Sequence, residues 1–234
     1  MAQQNAPAIV LAGGLGTRLR GVINDLPKPM AMISGKPFLH FVFQYLTRQN
    51  ISKAILSVGY KANVIEAYFG DKYLDVEIVY CREEEPLGTG GGLKKAFEYT
   101  QGEAFVLNGD TFFDIDLAAL AQFHTETKAD ITLALKQMEN FDRYGTVEML
   151  GDRIAKFEEK KPVAEGLING GVYYFHKEIL DRVAEQKFSF EKEVLEKYVT
   201  VRQIKGKVFK NYFIDIGIPE DYTKAQIDFI KLFE

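Results

Sequence analysis

Short apolar runs alternate with segments whose apolar residues recur every three or four positions, and this rhythm holds from Pro7 to Thr127. The stretches "PAIVLAG", "KAILSVG", "VEIVYC" and "EAFVLNGD" predict strands, while "PFLHFVFQYLTRQN", "NVIEAYFG", "GGLKKAFEYT" and "DLAALAQFHTET" predict helices. Strand followed by helix, repeated, predicts crossover units on a mostly parallel sheet. In the first helix Phe38, Val42, Tyr45 and Leu46 form the stripe expected to face the core, with Gln44, Arg48 and Gln49 facing away. After "ADITLALKQM" the period changes. "YGTVEML", "GDRIAKFEEK" and "INGGVYYFH" are extended, partly alternating stretches separated by Gly, Asp and Pro, and are expected to cap the open end of the sheet. "KEILDRVAEQ" and "FEKEVLEKYV" predict helices, "NYFIDIG" a strand, and Pro219 the start of a closing helix. No repeat, low-complexity linker or change of composition marks a boundary, so residues 1–234 are expected to form one α/β domain.

Composition narrows the classes of function. Hydrophobic residues at 47% and charged residues at 26% are ordinary for a folded soluble protein and exclude disorder as the main content. The formal charge of -4, from 29 basic and 33 acidic residues, provides no basic field for nucleic acid. An anionic ligand must therefore be held by local chemistry. The one cysteine, Cys81, allows neither an intrachain disulfide nor a cysteine metal cage; it is expected as a buried packing residue in a reducing compartment. "MAQQNAPA" lacks the basic and apolar parts of a leader, and no apolar run reaches membrane-spanning length, so a cytoplasmic protein without a membrane partner is expected. The composition is compatible with a homo-oligomer.

The first apolar run breaks abruptly in "AIVLAGGLGTRLRGVINDLPKP". Glycines after a strand let backbone N–H groups wrap a phosphate, and they also serve a plain sharp turn; Gly13, Gly14 and Gly16 fit both uses. A dinucleotide fingerprint would need glycine where Leu19 stands, and a P-loop would need Gly-Lys-Ser/Thr. Arg18 adds a fork of donors suited to phosphate oxygens, and Lys28 a compact charge. Pro27 and Pro29 restrict the backbone on both sides of Lys28, which leaves that lysine little freedom to lose on binding.

"LAGGLGTR" followed by "PKP" resembles the signature of the sugar-1-phosphate nucleotidyltransferases, and the similarity continues through the rest of the chain. The resemblance implies a Rossmann-like, mostly parallel sheet flanked by helices, of the glycosyltransferase-A type. It also implies an enzyme that moves a nucleoside monophosphate from a triphosphate to a sugar 1-phosphate. Leu11, Ala12, Gly13, Gly14, Gly16, Thr17 and Arg18 would then lie along the nucleotide, with Arg18, Lys28 and Asp110 carrying catalysis. "EEEPLGTGGGLKKAF" resembles the base-reading loop, in the version of guanylyl-transferring members, so Glu85, Pro86, Leu87, Gly88 and Thr89 are expected against base and ribose and GTP is the favoured triphosphate. Read from residues alone, the same stretch is a solvated turn and a loop feeding a helix, with Thr89 as its cap.

"FVLNGDTFFDID" ends an apolar strand on Asn108, Gly109 and Asp110, at the carboxyl edge where open α/β sheets bind ligands. The resemblance makes Asn108 and Gly109 nucleotide contacts and Asp110 a Mg2+ ligand, with Asp215 of "YFIDIG" as the second. Asp114 and Asp116 read as structural, Asp116 as the cap of the following helix. "FEEKKP" is similar to the family's sugar-site stretch and places Glu159 on sugar hydroxyls and Lys160 on the sugar phosphate; an extra lysine before Pro162 keeps Glu158 and Lys161 open. Asn169 and Gly170 of "INGGVYYF", with Lys28, Tyr144 and Gly145, complete the implied sugar-phosphate site, although Tyr144 serves equally as a hairpin packing residue.

The histidines His40, His124 and His176 are scattered and no nucleophile-base pattern accompanies them. Transfer between phosphates needs none, because the attacking oxygen is already deprotonated. The implied acceptor is a heptose 1-phosphate, with mannose 1-phosphate or another sugar served by a uridylyltransferase as alternatives. A non-catalytic nucleotide-sugar sensor of the same fold would be free to lose Arg18, Lys28, Asp110 or Asp215, and all four are present.

Overall fold

The computed structural model describes residues 6–14 and 26–233. The first strand, β1 (Ala8–Leu11), is followed by a 3-10 turn (Lys28–Met30), a small hairpin of β2 (Met32–Ile33) and β3 (Lys36–Pro37), and α1 (Phe38–Arg48). Next come β4 (Lys53–Val58), α2 (Ala62–Phe69), β5 (Lys72–Tyr73), β6 (Val76–Arg82), α3 (Gly88–Phe97), β7 (Glu103–Asn108), β8 (Thr111–Phe113) and α4 (Leu117–Thr127). The second half holds β9 (Ile131–Phe141), β10 (Val147–Leu150), β11 (Arg153–Phe157), β12 (Val163–His176) and α5 (Glu178–Asp181). It closes with a π-helical turn (Glu191–Glu196), β13 (Ile204–Phe209), β14 (Phe213–Asp215) and α6 (Pro219–Phe233).

A ten-stranded mixed sheet runs through both halves in the order β10-β11-β13-β9-β12-β7-β1-β4-β6-β5. Strands β6, β4, β1 and β7 are parallel. The chain leaves β1 toward β4 and β6 on one side and returns to β7 on the other, which makes the carboxyl end of β1 the switch point where such sheets open a crevice. Both faces are covered, as continuous apolar strands require. Along β1, Ala8 and Val10 face one core cluster and Ile9 the other. The first cluster packs against α1, α4 and α6, with Phe38 stacked on Phe229 at 5.7 Å; the second packs against α3, α5 and the π-helical turn, with Phe175 stacked on Phe190 at 5.1 Å.

Four expectations need correction. The extended stretches of the second half do not cap the sheet. They extend it, because β12 lies antiparallel to both β7 and β9 and so joins the two halves edge to edge. Helix α1 is buried well beyond its predicted stripe, including Leu39, Phe41 and Phe43, since α6 and α2 cover what the sheet leaves open. Gln49 is half-buried rather than turned wholly outward; its Oε1 accepts from the Leu117 N–H at 3.0 Å at the start of α4. "KEILDRVAEQ" holds only a four-residue helix, and "FEKEVLEKYV" opens in a π-helical turn. One interior strand, β13, was not predicted. It pairs parallel with β9 while Lys205 reaches Asp152 at 2.7 Å and Lys207 the Ala119 carbonyl at 2.8 Å, so lysine stems lie over the sheet and mask its pattern. Asp116 caps α4 as expected, accepting from Ala119 N–H at 3.0 Å, and Cys81 is a buried free thiol. Among the described residues no helix is long and apolar enough to cross a membrane.

Candidate active site

A two-stranded ribbon brings the two predicted carboxylates together. β8 pairs antiparallel with β14 in a register that sets Asp215 opposite Thr111, next to Asp110. Lys28, on its 3-10 turn between two buried prolines, donates from Nζ to Asp110 Oδ2 at 2.6 Å and lies 3.8 Å from Asp215 Oδ1. The Gly217 N–H also donates to Asp215 Oδ1, at 2.8 Å. Burial, and after it the neighbouring Asp110 charge, raise the Asp215 carboxyl pKa from its ordinary value, against the pull of Lys28, the Gly217 N–H and Arg143. One lysine therefore leaves this pair short of positive charge. Two hard carboxylates in that condition fit a divalent cation that completes its shell with substrate phosphates. No cluster of three or more His, Cys, Asp or Glu exists among the described residues, so a caged protein-only metal site is not the alternative there.

Asp110 and Asp215 line different cavities. The first, of about 630 Å³, is bounded by Leu11, Gly13, Gly14, Gly59, Tyr60, Glu83, Glu84, Pro86, Gly88, Thr89, Asn108, Asp110 and Glu191. Ala12 lies behind it, buried, with its N–H on the Ser57 carbonyl at 2.8 Å, and Gly109 donates to the Leu11 carbonyl at 2.9 Å. Gly16, Thr17 and Arg18 lie outside the described residues. Glu85 is exposed and stands off the cavity wall, where Glu83 and Glu84 stand instead. Glu83 is the first residue past β6 and turns inward: Oε1 accepts from Ser57 Oγ at 2.8 Å and Oε2 from the Leu87 N–H at 3.0 Å.

The glycine run after it is helix, not flexible loop. A Cβ on Gly90 would sit 2.1 Å from the Phe188 ring, so glycine lets α3 press against the segment before the π-helical turn. Leu87 is the N-cap residue of α3, and Thr89 does not cap it. The Thr89 hydroxyl donates to Glu191 Oε2 at 2.7 Å and accepts from the Phe190 N–H at 2.9 Å.

The second cavity, of about 740 Å³, takes Tyr144, Gly145, Glu158, Glu159, Lys160, Asn169, Gly170 and Asp215 from the predicted set, with Asn108 and Glu191 shared with the first. Glu158, Glu159 and Lys160 all line this cavity and Lys161 does not; Glu158 also holds Lys156 and Lys161, the latter at 2.8 Å, and its hydrogen bonds to these lysines draw its carboxyl down to about 2. A β-bulge shapes the opposite wall. Gly171, at φ +72°, breaks the β12–β9 register after Asn169, whose Oδ1 accepts the Gly171 N–H at 3.0 Å and whose Nδ2 donates to Tyr173 at 2.8 Å. Tyr144 both packs, edge-on to Phe213 at 6.0 Å, and lines the cavity; burial and the Asp215 charge raise its hydroxyl pKa.

Sequence reasoning missed Glu83, the Gly59–Tyr60 turn and the π-helical turn with Glu191 and Lys192. Glu83 carried the signal that found Asp110, a carboxylate just beyond an apolar parallel strand. The π-helical residues carried none, because their position depends on a tertiary contact with α3.

The chain belongs to the nucleotidyl transferase family, whose model matches residues 7–231. It is 52% identical over 221 residues to D-glycero-alpha-D-manno-heptose 1-phosphate guanylyltransferase of Aneurinibacillus thermoaerophilus, covering 94% of this chain and 96% of that one. The enzyme of the same name from Campylobacter jejuni is 52% identical over 217 residues, covering 92% and 96%. The crystal structure of HddC from Yersinia pseudotuberculosis complexed with GMP-PN superimposes with a TM-score of 0.87 at 38% identity, over 96% of this chain and 99% of that one.

Proposed function

We propose that the chain transfers GMP from GTP to D-glycero-α-D-manno-heptose 1-phosphate, forming GDP-heptose and pyrophosphate. The observation that carries this reading is the Lys28–Asp110–Asp215 cluster, whose carboxylates line two adjoining cavities while one ammonium reaches both. The relatives that act on the heptose 1-phosphate support the choice of sugar.

The sugar phosphate supplies its own anionic oxygen, which attacks the α-phosphorus of GTP. The bond from that phosphorus to the bridging oxygen breaks, and pyrophosphate leaves with the electron pair. No proton has to be removed, because the attacking phosphate oxygen is already anionic. Lys28 holds the two reacting phosphates against each other, so catalysis is positioning and charge neutralisation. Arg18 is assigned to the departing pyrophosphate. Asp110 and Asp215 would hold magnesium, which when bound neutralises the α-phosphate. Glu83 suits guanine, because N1–H and the exocyclic amine form a donor pair that a carboxylate accepts and adenine lacks. Glu159 and Lys160 suit the hydroxyls and phosphate of the sugar. The sheet shared by both halves supports a single domain, and the substrates support a cytoplasmic enzyme that supplies nucleotide sugar for polysaccharide.

A pyrophosphate-release assay with magnesium, crossing GTP, ATP, UTP and CTP with heptose, mannose and glucose 1-phosphates, tests the proposal. GTP with the heptose 1-phosphate should give the highest kcat/KM. Preference for mannose 1-phosphate would replace the sugar, and release with no pair would favour a sensor.

A further inference from the structure

Glu191 stands at the seam of the two cavities and lines both. Its Oε2 accepts two hydroxyl hydrogen bonds, from Thr89 at 2.7 Å and Ser189 at 2.7 Å, while Oε1 has no protein partner among the described residues. Thr89 belongs to the first cavity and is tied on its other side to the Phe190 N–H. Two backbone bonds strengthen this clamp, Phe188 N–H to the Leu87 carbonyl and Gly90 N–H to the Phe188 carbonyl, both 3.0 Å. The base-side loop and the sugar-side wall are thus one hydrogen-bonded unit.

The wall itself is unusual. Residues Glu191–Glu196 form a π-helical turn, a rare conformation found mainly at functional sites, and Glu191, Lys192, Leu195 and Glu196 all face the second cavity. The Asn169–Tyr173 pair lines the same cavity, with the Tyr173 ring edge-on to Phe190 at 5.4 Å, beside Glu191; burial, and after it the Glu191 charge, raise the Tyr173 hydroxyl pKa.

We propose that Glu191 couples the two substrate pockets: one carboxylate oxygen anchors Thr89 in the nucleotide cavity while the other takes a hydroxyl of the sugar 1-phosphate. The proposal rests on the guanylyl-transfer reading and adds a specificity residue that also makes sugar binding depend on nucleotide. A nucleotide seated against Thr89 fixes the carboxylate, and the fixed carboxylate meets the sugar with less ordering left to do. A sugar hydroxyl donating to a carboxylate is a charge-assisted bond, stronger than a neutral one.

Steady-state kinetics with GTP and heptose 1-phosphate both varied, on the native chain, Glu191→Gln and Thr89→Val, test this. In the native enzyme the sugar KM should fall as GTP rises. Glu191→Gln should raise the sugar KM about tenfold, the loss expected for a bond to a charged group, and several times more than it raises the GTP KM. Thr89→Val keeps the carboxylate and should erase the dependence of the sugar KM on GTP. An unchanged sugar KM in Glu191→Gln would overturn the proposal, as would equal rises in both KM values with a lower Tm, the mark of a structural role alone. If the native chain does not turn over, the functional reading falls and this proposal with it; if it does, the variants judge the proposal alone.

Discussion

Replacing Lys28 by Met removes one charge and keeps nearly the same length of side chain. Its side chain is 15% exposed, and its ammonium is 2.6 Å from Asp110 and 3.8 Å from Asp215. Two consequences have different sizes. For stability, Lys28 offsets Asp110, 36% exposed, and Asp215, 25% exposed; the more buried Asp215 takes up a proton rather than standing unpaired, and loss of the solvated pair costs about 1 kcal/mol. That lowers the Tm by about 2–4 °C in a chain of this size. For catalysis, removing a preorganised charged donor from the site of reaction costs on the order of 10²–10³ in kcat, about 2.7–4 kcal/mol of barrier. The variant should thus be folded and nearly inactive. Pyrophosphate release at saturating GTP and heptose 1-phosphate reads the catalytic effect, and a thermal melt the effect on stability. Turnover within about threefold of native would refute the role of Lys28, and a Tm drop beyond about 10 °C would refute the stability estimate.

Glu83→Gln loses the charge and keeps one acceptor oxygen, which can serve the Leu87 N–H while the Ser57 hydroxyl turns to accept from the amide; it should raise the GTP KM about ten- to hundredfold and erode the preference for GTP over ATP, measured as the ratio of their kcat/KM values. An unchanged ratio would remove Glu83 from base reading. Asp116→Ala deletes the cap of α4 and should cost about 1 kcal/mol in urea unfolding with kcat unchanged. Burial holds His124 below its ordinary 6.5, against the opposing Glu103 and Asp130 charges, with its Nδ1 2.9 Å from the Thr132 hydroxyl and its ring edge-on to Tyr174. The unfolded chain therefore binds a proton below pH 6.5 that the folded chain refuses, and stability falls with pH there by up to about 1.4 kcal/mol per unit from this group. An NMR titration should place His124 below 6.5, and a value above it would reverse the sign.

Much of the fold was legible because its elements obey local rules. β1, β4 and β7 are mostly continuous apolar runs, β6 alternates around an apolar core, α4 carries its own cap in Asp116, and α6 opens on Pro219. β13 escaped because Lys205 and Lys207 lie in its pattern with partners found only across the sheet. The same contrast holds at the site. Lys28 could be singled out because two prolines flank it, and Asp110 because it follows an apolar strand. The inward turn of Glu83 in place of Glu85 depends on where β6 ends.

By itself the sequence determined the chemistry available to this protein: a glycine-rich strand end, a stiffened lysine, carboxylates after apolar strands, and a composition without a basic field. These are properties of residues and near neighbours, which covalent geometry and local hydrogen bonding impose wherever the segment lies. Tertiary structure alone decided which of those groups meet. The β8–β14 register sets Asp110 beside Asp215, and the contact of α3 with the segment before the π-helical turn carries Glu191 to the seam between the cavities. Residues 110 and 215, like 89 and 191, are too far apart in the chain for local rules to pair them, and only the packing of the core against a common sheet does so.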